Sequence, residues 1–182
     1  AKLPINTLYI KTNEGEIDPI VANFKIFRRS GTGATTITSS VITDTTFNNG
    51  EEYIFNIQES LKGQSELRDP IQVSFVGADP MSLPPGADTK AQADAEALAA
   101  AITNAVDVDD HNFTNILAEV TSANKVVIKH LLGGDFDLVD DSVDRVVALL
   151  FVGDTNYYEA PSWIQDDAEH PTHFYASLWK PL

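Results

Sequence analysis

The fold is decided by a stretch of small apolar residues at positions 91–102, with the sequence AQADAEALAAAI. Its apolar side chains recur at steps of three and four residues, which is the spacing of one helical face. That face comprises Ala91, Ala95, Leu98, Ile102 and Val106, and it leaves out Asp94, Glu96 and Asn104. Thr89 and Gln92 have the spacing of a capping box. The sequence therefore predicts one half-buried helix over Asp88–Val106.

An alanine-rich helix face can lie close against a sheet, and segments with strand-like patterns occur on both sides of it. The predicted strands are Ile5–Lys11, Ile20–Arg28, Thr35–Thr46, Glu51–Gln58, Ile71–Val76, Ile116–Thr121, Lys125–Leu131, Phe136–Val139, Arg145–Val152 and His173–Trp179. The turn signal Asn48-Asn49-Gly50 predicts a meander between the third and fourth of these. The apolar run Arg145–Val152 is typical of a buried central strand. The chain is thus predicted to be α+β, with mostly antiparallel, sandwich-like sheets and one main helix at about residues 88–106.

A chain of 182 residues with 43% hydrophobic residues can bury a core, and its length suits a single domain. Within it, residues 1–70 have the pattern of a β-meander and residues 71–182 that of an acidic helix-plus-sheet unit, which would form two lobes sharing an interface. There is no cysteine, which fits assembly inside a cell. The N-terminus lacks the apolar run of a secretory signal, and no stretch has the length of a bilayer span. A soluble product without a membrane span is expected.

The net charge of −15 is unevenly distributed along the chain. Residues 1–70 contain seven Lys/Arg and nine Asp/Glu, a net charge of −2, whereas residues 71–182 contain five and eighteen, a net charge of −13. Proteins bind nucleic-acid backbones through clustered Lys and Arg, so specific DNA or RNA binding is not expected. An acidic surface of this kind repels polyanions instead.

Acidic residues crowd one short segment, namely Asp135, Asp137, Asp140, Asp141 and Asp144. An EF-hand loop needs oxygen ligands at its first, third and fifth positions and a glycine at its sixth. Counted from Asp135, Val139 is fifth and Asp140 sixth, so the pattern fails. The group Asp107, Asp109 and Asp110 fails as well, because no glycine follows it. Solvated acidic turns are the favoured interpretation, and a calcium site built from several loops stays open.

His170 and His173 form an H-x-x-H motif with Pro171 between them. Two histidines that bind a metal from one helix are usually four residues apart, and Pro171 favours a loop or strand here. His170 and His173 are therefore predicted to be surface or interface histidines. His111 and His130 are isolated in the sequence. There is no G-x-S-x-G motif or phosphate-binding glycine loop, and nothing singles out a pair of the 27 acids for acid–base chemistry. No catalytic, cofactor-binding or metal-binding residue is therefore predicted, no cofactor is expected, and the chain is expected not to be an enzyme.

Aromatic residues concentrate toward the C-terminus, at Tyr157, Tyr158, Trp163, Phe174, Tyr175 and Trp179. Such rings stack on sugars in glycan-binding platforms, and they also fill cores and subunit interfaces. The interface interpretation is favoured, and a glycan- or receptor-binding β-module is the alternative.

Four segments follow one another within residues 91–139. They are the alanine-rich helix, a strand led by Phe113-Thr114, the sequence SANKVVIKH (122–130) and the sequence GDFDL (134–138). This order resembles small modules of tailed-bacteriophage virion proteins, which occur in tail nozzles, tubes and sheaths.

The resemblance implies a structural subunit of a virion, made in the host cytoplasm and assembled with copies of itself and with other virion proteins. The simplest assembly is a six-membered ring or a stack of rings. The tail tube is the preferred assignment, because tube subunits of that family resemble a β-sandwich flanked by a helix. The acids of residues 71–182 would line the channel and repel passing DNA over roughly 8 Å, one Debye length at physiological salt. A neck, baseplate, sheath or head decoration protein is the alternative within the virion.

Overall fold

The computed structural model describes residues 33–60, 67–107, 109–140, 145–151 and 173–179, and the backbone of the short strands outside these ranges. The helices are α1 (Lys90–Asn104) and α2 (Val146–Phe151). The strands are β1 (Ile10–Lys11), β2 (Ile17–Asp18), β3 (Phe27–Arg29), β4 (Thr35–Thr38), β5 (Glu52–Glu59), β6 (Ile71–Val76), β7 (Ile116–Val120), β8 (Val126–His130), β9 (Phe136–Asp140), β10 (Tyr157–Glu159), β11 (His173–Ala176) and β12 (Trp179–Pro181).

Helix α1 begins at the predicted cap. The Thr89 hydroxyl accepts a hydrogen bond from the Gln92 backbone N–H at 3.1 Å, which satisfies a donor that the first helical turn leaves free. The Gln92 side chain in turn accepts from the Asp88 N–H at 3.1 Å. Because Thr89 is the cap, the helix starts at Lys90, two residues later than predicted. It also ends two residues early, so Val106 lies outside it and is exposed.

The buried face of α1 is largely the predicted one. It contains Ala91, Ala95, Leu98 and Ile102. Asp94 was predicted to lie off this face, and it is instead fully buried, because Lys90 pairs with it inside the protein. The small side chains allow the helix to contact β6, β7 and β8.

Two antiparallel sheets support this helix. The larger has the strand order β10-β11-β9-β5-β6, and the smaller has the order β4-β8-β7. Two further antiparallel pairs are β1 with β2 and β3 with β12. In the larger sheet β5 lies between β6 and β9, so strands from either side of residue 70 are neighbours. The predicted α+β class with mostly antiparallel sheets and one main helix is confirmed.

One apolar core joins both sheets and both helices. On β5, Phe55 and Ile57 point into it, and β6 contributes alternate residues, Ile71, Val73 and Phe75. The largest fully buried apolar side chains are Phe55, Phe136, Phe151, Ile37, Ile42, Ile57, Leu98, Ile102, Ile128, Leu138 and Leu150.

The predicted strand Arg145–Val152 is wrong, because this segment contains helix α2. The carboxylate of Asp140, at the end of β9, accepts hydrogen bonds from the backbone N–H groups of Val147 and Ala148 at 2.6 and 2.9 Å. These bonds satisfy donors at the start of a helical turn. A short apolar run fits a buried helix as well as a buried strand, and here the acid on β9 stabilises the helix.

The predicted meander is also wrong. Strand β4 ends at Thr38 and pairs with β8, so it does not pair with β5. The chain then turns at residues 43–46, where the Thr46 hydroxyl accepts from the Thr43 N–H at 2.8 Å. Threonine hydroxyls that bind nearby backbone groups favour a turn over a continued strand.

The other predicted strands fall into three groups. Strand β6 has the predicted bounds, and β5, β7, β8 and β9 differ from their predictions by one residue at one or both ends. The predicted strand His173–Trp179 is interrupted at Ser177 and Leu178, which separates β11 from β12. The predictions Ile5–Lys11 and Ile20–Arg28 lie mostly outside the described residues.

Candidate functional site

A surface cleft of about 270 Å³ lies between the 47–51 loop, the start of β5 and helix α2. Four of its seven lining residues are apolar or aromatic, Phe47, Tyr53, Val146 and Leu149, and the other three are Asn48, Glu51 and Arg145. The rings of Phe47 and Tyr53 are 4.9 Å apart in an edge-to-face arrangement, which gives the cleft a fixed aromatic side. Leu149 lies at the cleft with 56% of its surface exposed.

Polar side chains at the cleft bind one another. The Tyr53 hydroxyl accepts from the Asn48 N–H at 2.8 Å and donates to the Glu51 carboxylate at 3.2 Å. The Asn48 side chain donates to the same carboxylate oxygen at 2.5 Å. Arg145 differs from these residues, because its exposed guanidinium forms no ion pair with any residue in the described ranges. The cleft therefore combines a fixed apolar surface with one cation that has no partner there.

The size of the cleft limits what it can bind. Substrate and cofactor pockets begin at about 300 Å³, so this cleft suits a single side chain better than a cofactor. Its aromatic side and the Arg145 guanidinium favour an apolar group that has a carboxylate close by.

Sequence reasoning missed this cleft because it placed residues 145–152 in a central strand. One signal was available. Arg145 is one of only five basic residues in 71–182, and it immediately precedes an apolar run. A cation at that position is unlike the rest of this acidic segment.

His130, isolated in the sequence, is fully buried between the two sheets. Its Nδ1 accepts a hydrogen bond from the Gly134 N–H at 3.0 Å, so its Nε2 carries the proton and donates to the Ser60 carbonyl at 2.7 Å. Because Ser60 follows β5 and His130 ends β8, the neutral ring links the larger sheet to the smaller one.

The polar contacts continue from Ser60 to the C-terminal strands. Ser60 and Asp135 form two hydrogen bonds, Ser60 N–H to the Asp135 carbonyl at 2.9 Å and Asp135 N–H to the Ser60 hydroxyl at 2.8 Å. The Asp135 carboxylate accepts from the hydroxyls of Tyr175 and Ser177 at 2.7 and 2.5 Å. Asp135 thus ties β11 and the residue after it to the end of β5.

The prediction of a solvated acidic turn is therefore wrong for the first part of the 135–144 segment. Asp135 belongs to the network just described, while Asp137 and Asp140 are buried. The reason is that β9 is a central strand of the sheet, between β5 and β11. Asp141 and Asp144 lie outside the described residues.

Asp137 and His173 form a buried pair on neighbouring strands β9 and β11. His173 Nδ1 lies 2.7 Å from Asp137 Oδ2, and both side chains are buried. Burial raises the pKa of Asp137 above its ordinary value, an effect larger than the lowering by the His173 hydrogen bond. The prediction of a surface or interface position is wrong for His173, and His170 lies outside the described residues.

Replacing Asp137 with asparagine is expected to flatten the pH dependence of stability. Since burial raises the pKa of Asp137 in the folded state, its stabilising contribution is fully present below the ordinary value of 3.8 and is lost as the pH rises through the folded value. Asparagine keeps a carbonyl acceptor for His173 and cannot ionise. Urea denaturation at a series of pH values should show that the stability of the wild type relative to Asp137→Asn falls as the pH rises through the folded value.

The exposed acid Asp109 provides the matched control for that measurement. The variant Asp109→Asn should keep the wild-type pH profile. Parallel profiles for Asp137→Asn and the wild type would show that Asp137 does not contribute in this way.

The Asp107 carboxylate accepts the hydrogen bonds that shape the acidic turn formed with Asp109 and Asp110. Its Oδ1 accepts from the backbone N–H groups of His111 and Asp109, each at 2.9 Å. The N–H of His111 is the main reason why the pKa of Asp107 lies below its usual range. Asp109 and Asp110 are exposed, as expected for a solvated turn. Within the described ranges, no three His, Asp or Glu side chains are arranged to hold a metal ion.

The C-terminal aromatics are divided between the interior and the surface. Phe174 and Tyr175 are buried in the larger sheet, whereas about half of the Trp179 surface is exposed (49%). Trp163 and the side chains of Tyr157 and Tyr158 lie outside the described residues.

Comparison with protein-family models, curated proteins and solved structures finds no match for this chain. Among the described residues, neither helix has the length and apolar composition that crossing a membrane requires. The function is therefore inferred from the contacts and surfaces above.

Proposed function

We propose that this chain is a structural subunit of a bacteriophage tail, and that copies of it form the rings of the tail tube. The observation that carries this proposal is the use of buried charged side chains as internal ties between segments. The Glu59 carboxylate, for example, accepts from the backbone N–H groups of Thr114 and Asn115 at 2.7 and 2.9 Å. Lys90 similarly donates to the Phe47 carbonyl at 2.9 Å. These side chains hold the subunit in one shape, which a repeating assembly requires.

Apolar side chains left on the surface support contacts between proteins. Large hydrophobic residues are exposed at several separate places, including Val41, Met81, Leu149 and Trp179. Methionine and aromatic residues are enriched in protein–protein interfaces, so the exposed Met81 and Trp179 side chains suit such contacts. Copies of the same chain and other virion proteins are the partners proposed.

The acidic surface supports a channel role. Of the eighteen acids in 71–182, those exposed in the described residues are Asp79, Asp88, Glu96, Asp109, Asp110 and Glu119. Carboxylates on a channel wall repel the DNA backbone over roughly 8 Å at physiological salt. The proposed tube therefore lets DNA pass without binding it.

Electron microscopy and native mass spectrometry of the purified chain test the proposal. We expect six-fold rings in negative stain and a hexamer mass, with stacking into tubes as the concentration rises. Labelled DNA should not be retained by the protein in a gel-shift measurement. A chain that stays monomeric in light scattering at high concentration, and that does not join tail particles, would contradict the proposal.

A further inference from the structure

The loop of residues 77–86, here called the Met81 loop, presents an apolar side chain to solvent. Met81 is 94% exposed. The start of the loop is fixed, because the Gly77 N–H donates to the Glu51 carbonyl at 2.9 Å and the Gly50 N–H donates to the Gly77 carbonyl at 2.8 Å. The Asp79 carboxylate accepts from the Met81 N–H at 2.9 Å, which shapes the turn around the methionine. Met81 is thus held out from the surface by an ordered loop.

We propose that the cleft beside α2 receives Met81 from a second copy of this chain. The cleft volume of about 270 Å³ is several times the ~30 Å³ share of a liquid water molecule, which is enough for one methionine side chain. Methionine sulfur makes favourable contacts with aromatic rings, and the half-buried Tyr53 ring, packed on the buried Phe47 ring, supplies one at the cleft. Met81 of the same chain does not occupy the cleft, because its side chain is exposed to solvent in the single chain.

Charge complementarity favours the same occupant. Asp79 lies two residues before Met81 and is exposed, and its carboxylate has acceptor sites beyond the one used by the Met81 N–H. Arg145 at the cleft forms no ion pair within the described residues. When Met81 enters the cleft of a partner, Asp79 comes close to Arg145, and a guanidinium can bind a carboxylate through two parallel hydrogen bonds.

The position of the loop indicates a two-fold contact. A Cβ added to Gly77 would lie 2.1 Å from the carbonyl oxygen of Asn48, and Asn48 lines the cleft. The loop and the cleft therefore lie at the same end of the larger sheet. A two-fold axis at that end brings each loop to the cleft of the other copy. The inference rests on the proposed function only in taking another copy of this chain as the partner.

Disulfide cross-linking tests the contact directly, because the chain has no cysteine of its own. The variants Met81→Cys and Leu149→Cys are prepared separately with different tags, mixed and oxidised, so that any doubly tagged dimer must form between chains. We expect this mixed dimer to form. Leu131→Cys is the matched control, because Leu131 and Leu149 are similarly exposed at 51% and 56%. A mixture of Met81→Cys with Leu131→Cys that cross-links equally well would overturn the proposal.

Sedimentation equilibrium gives a second measurement without cysteines. Met81→Gln and Arg145→Glu should each raise the dimer Kd at least about tenfold, as expected for a central interface residue. Leu131→Gln should leave the Kd unchanged. Thermal unfolding confirms that each variant is folded. An unchanged Kd in Met81→Gln and Arg145→Glu, or a wild-type chain with no dimer, would also overturn the proposal.

The two proposals fail in different ways. Head-to-tail contacts that close a six-fold ring do not use a two-fold contact. Rings in negative stain without the Met81–Leu149 cross-link would overturn the cleft contact and leave the tail assignment standing. A cross-linked two-fold dimer that never forms rings would support the cleft contact and contradict the tail assignment.

Discussion

Replacing Lys90 with methionine is expected to lower the free energy of unfolding by about 3–5 kcal/mol. Lys90 Nζ lies 2.6 Å from Asp94 Oδ2, and only 4% and 0% of the two side chains are exposed. Removing the cation leaves the Asp94 carboxylate buried without its counter-charge. It also removes the hydrogen bond to the Phe47 carbonyl, which ties the loop at the cleft to α1. Urea denaturation followed by circular dichroism measures the change.

The double variant Lys90→Met with Asp94→Leu shows how much of the loss comes from leaving the Asp94 carboxylate buried without a counter-charge. Because both charges are removed together, most of the stability should return, apart from about 1 kcal/mol for each of two lost hydrogen bonds, from the Ala78 N–H to Asp94 and from Lys90 to the Phe47 carbonyl. Lys129 and Glu119 form a matched pair at the surface, with 28% and 51% of their side chains exposed. Lys129→Met should cost less than about 1 kcal/mol. Equal losses in Lys90→Met and Lys129→Met would contradict the role of burial.

Sequence pattern predicts an element well when the forces that form it are local. The cap at Thr89 and the spacing of Ala91, Ala95 and Leu98 lie within a few turns of one another, so α1 was predicted to within two residues at each end. Helix α2 was missed because its capping acid, Asp140, belongs to the strand before it. The apolar run alone fits either kind of element.

The candidate site was not predicted because its residues come from distant segments. The cleft needs the 47–51 loop and α2 side by side, and no motif spans both. Burial of charged and polar side chains was missed for a related reason. Asp137 and His173 are paired across adjacent strands β9 and β11, and the order of strands in a sheet cannot be obtained from alternation alone. Asp94 reaches the interior because Lys90, one helical turn away, neutralises it.

Replacing Gly134 with alanine is expected to lower the free energy of unfolding by about 2–4 kcal/mol, which combines overpacking with a weakened buried hydrogen bond. An added Cβ would lie 2.5 Å from Cε1 and Nε2 of the His130 ring and 2.7 Å from the Ser60 hydroxyl oxygen. The ring cannot turn aside without cost, because its two nitrogens are bound to Gly134 and Ser60. Gly134 does not have a positive φ, so the loss comes from the collision and not from the backbone conformation.

A double-mutant cycle with His130→Ala isolates this contact. His130→Ala alone should be destabilising by about 2–4 kcal/mol, since it empties a buried site and leaves the Ser60 carbonyl without its side-chain donor. In that background Gly134→Ala should cost at least about 1 kcal/mol less than it does alone, because the ring is gone and only the Ser60 hydroxyl oxygen, 2.7 Å from the added Cβ, still has to move. Chemical denaturation of the four proteins gives the coupling free energy. Additive losses would mean that the His130 ring does not pack on Gly134.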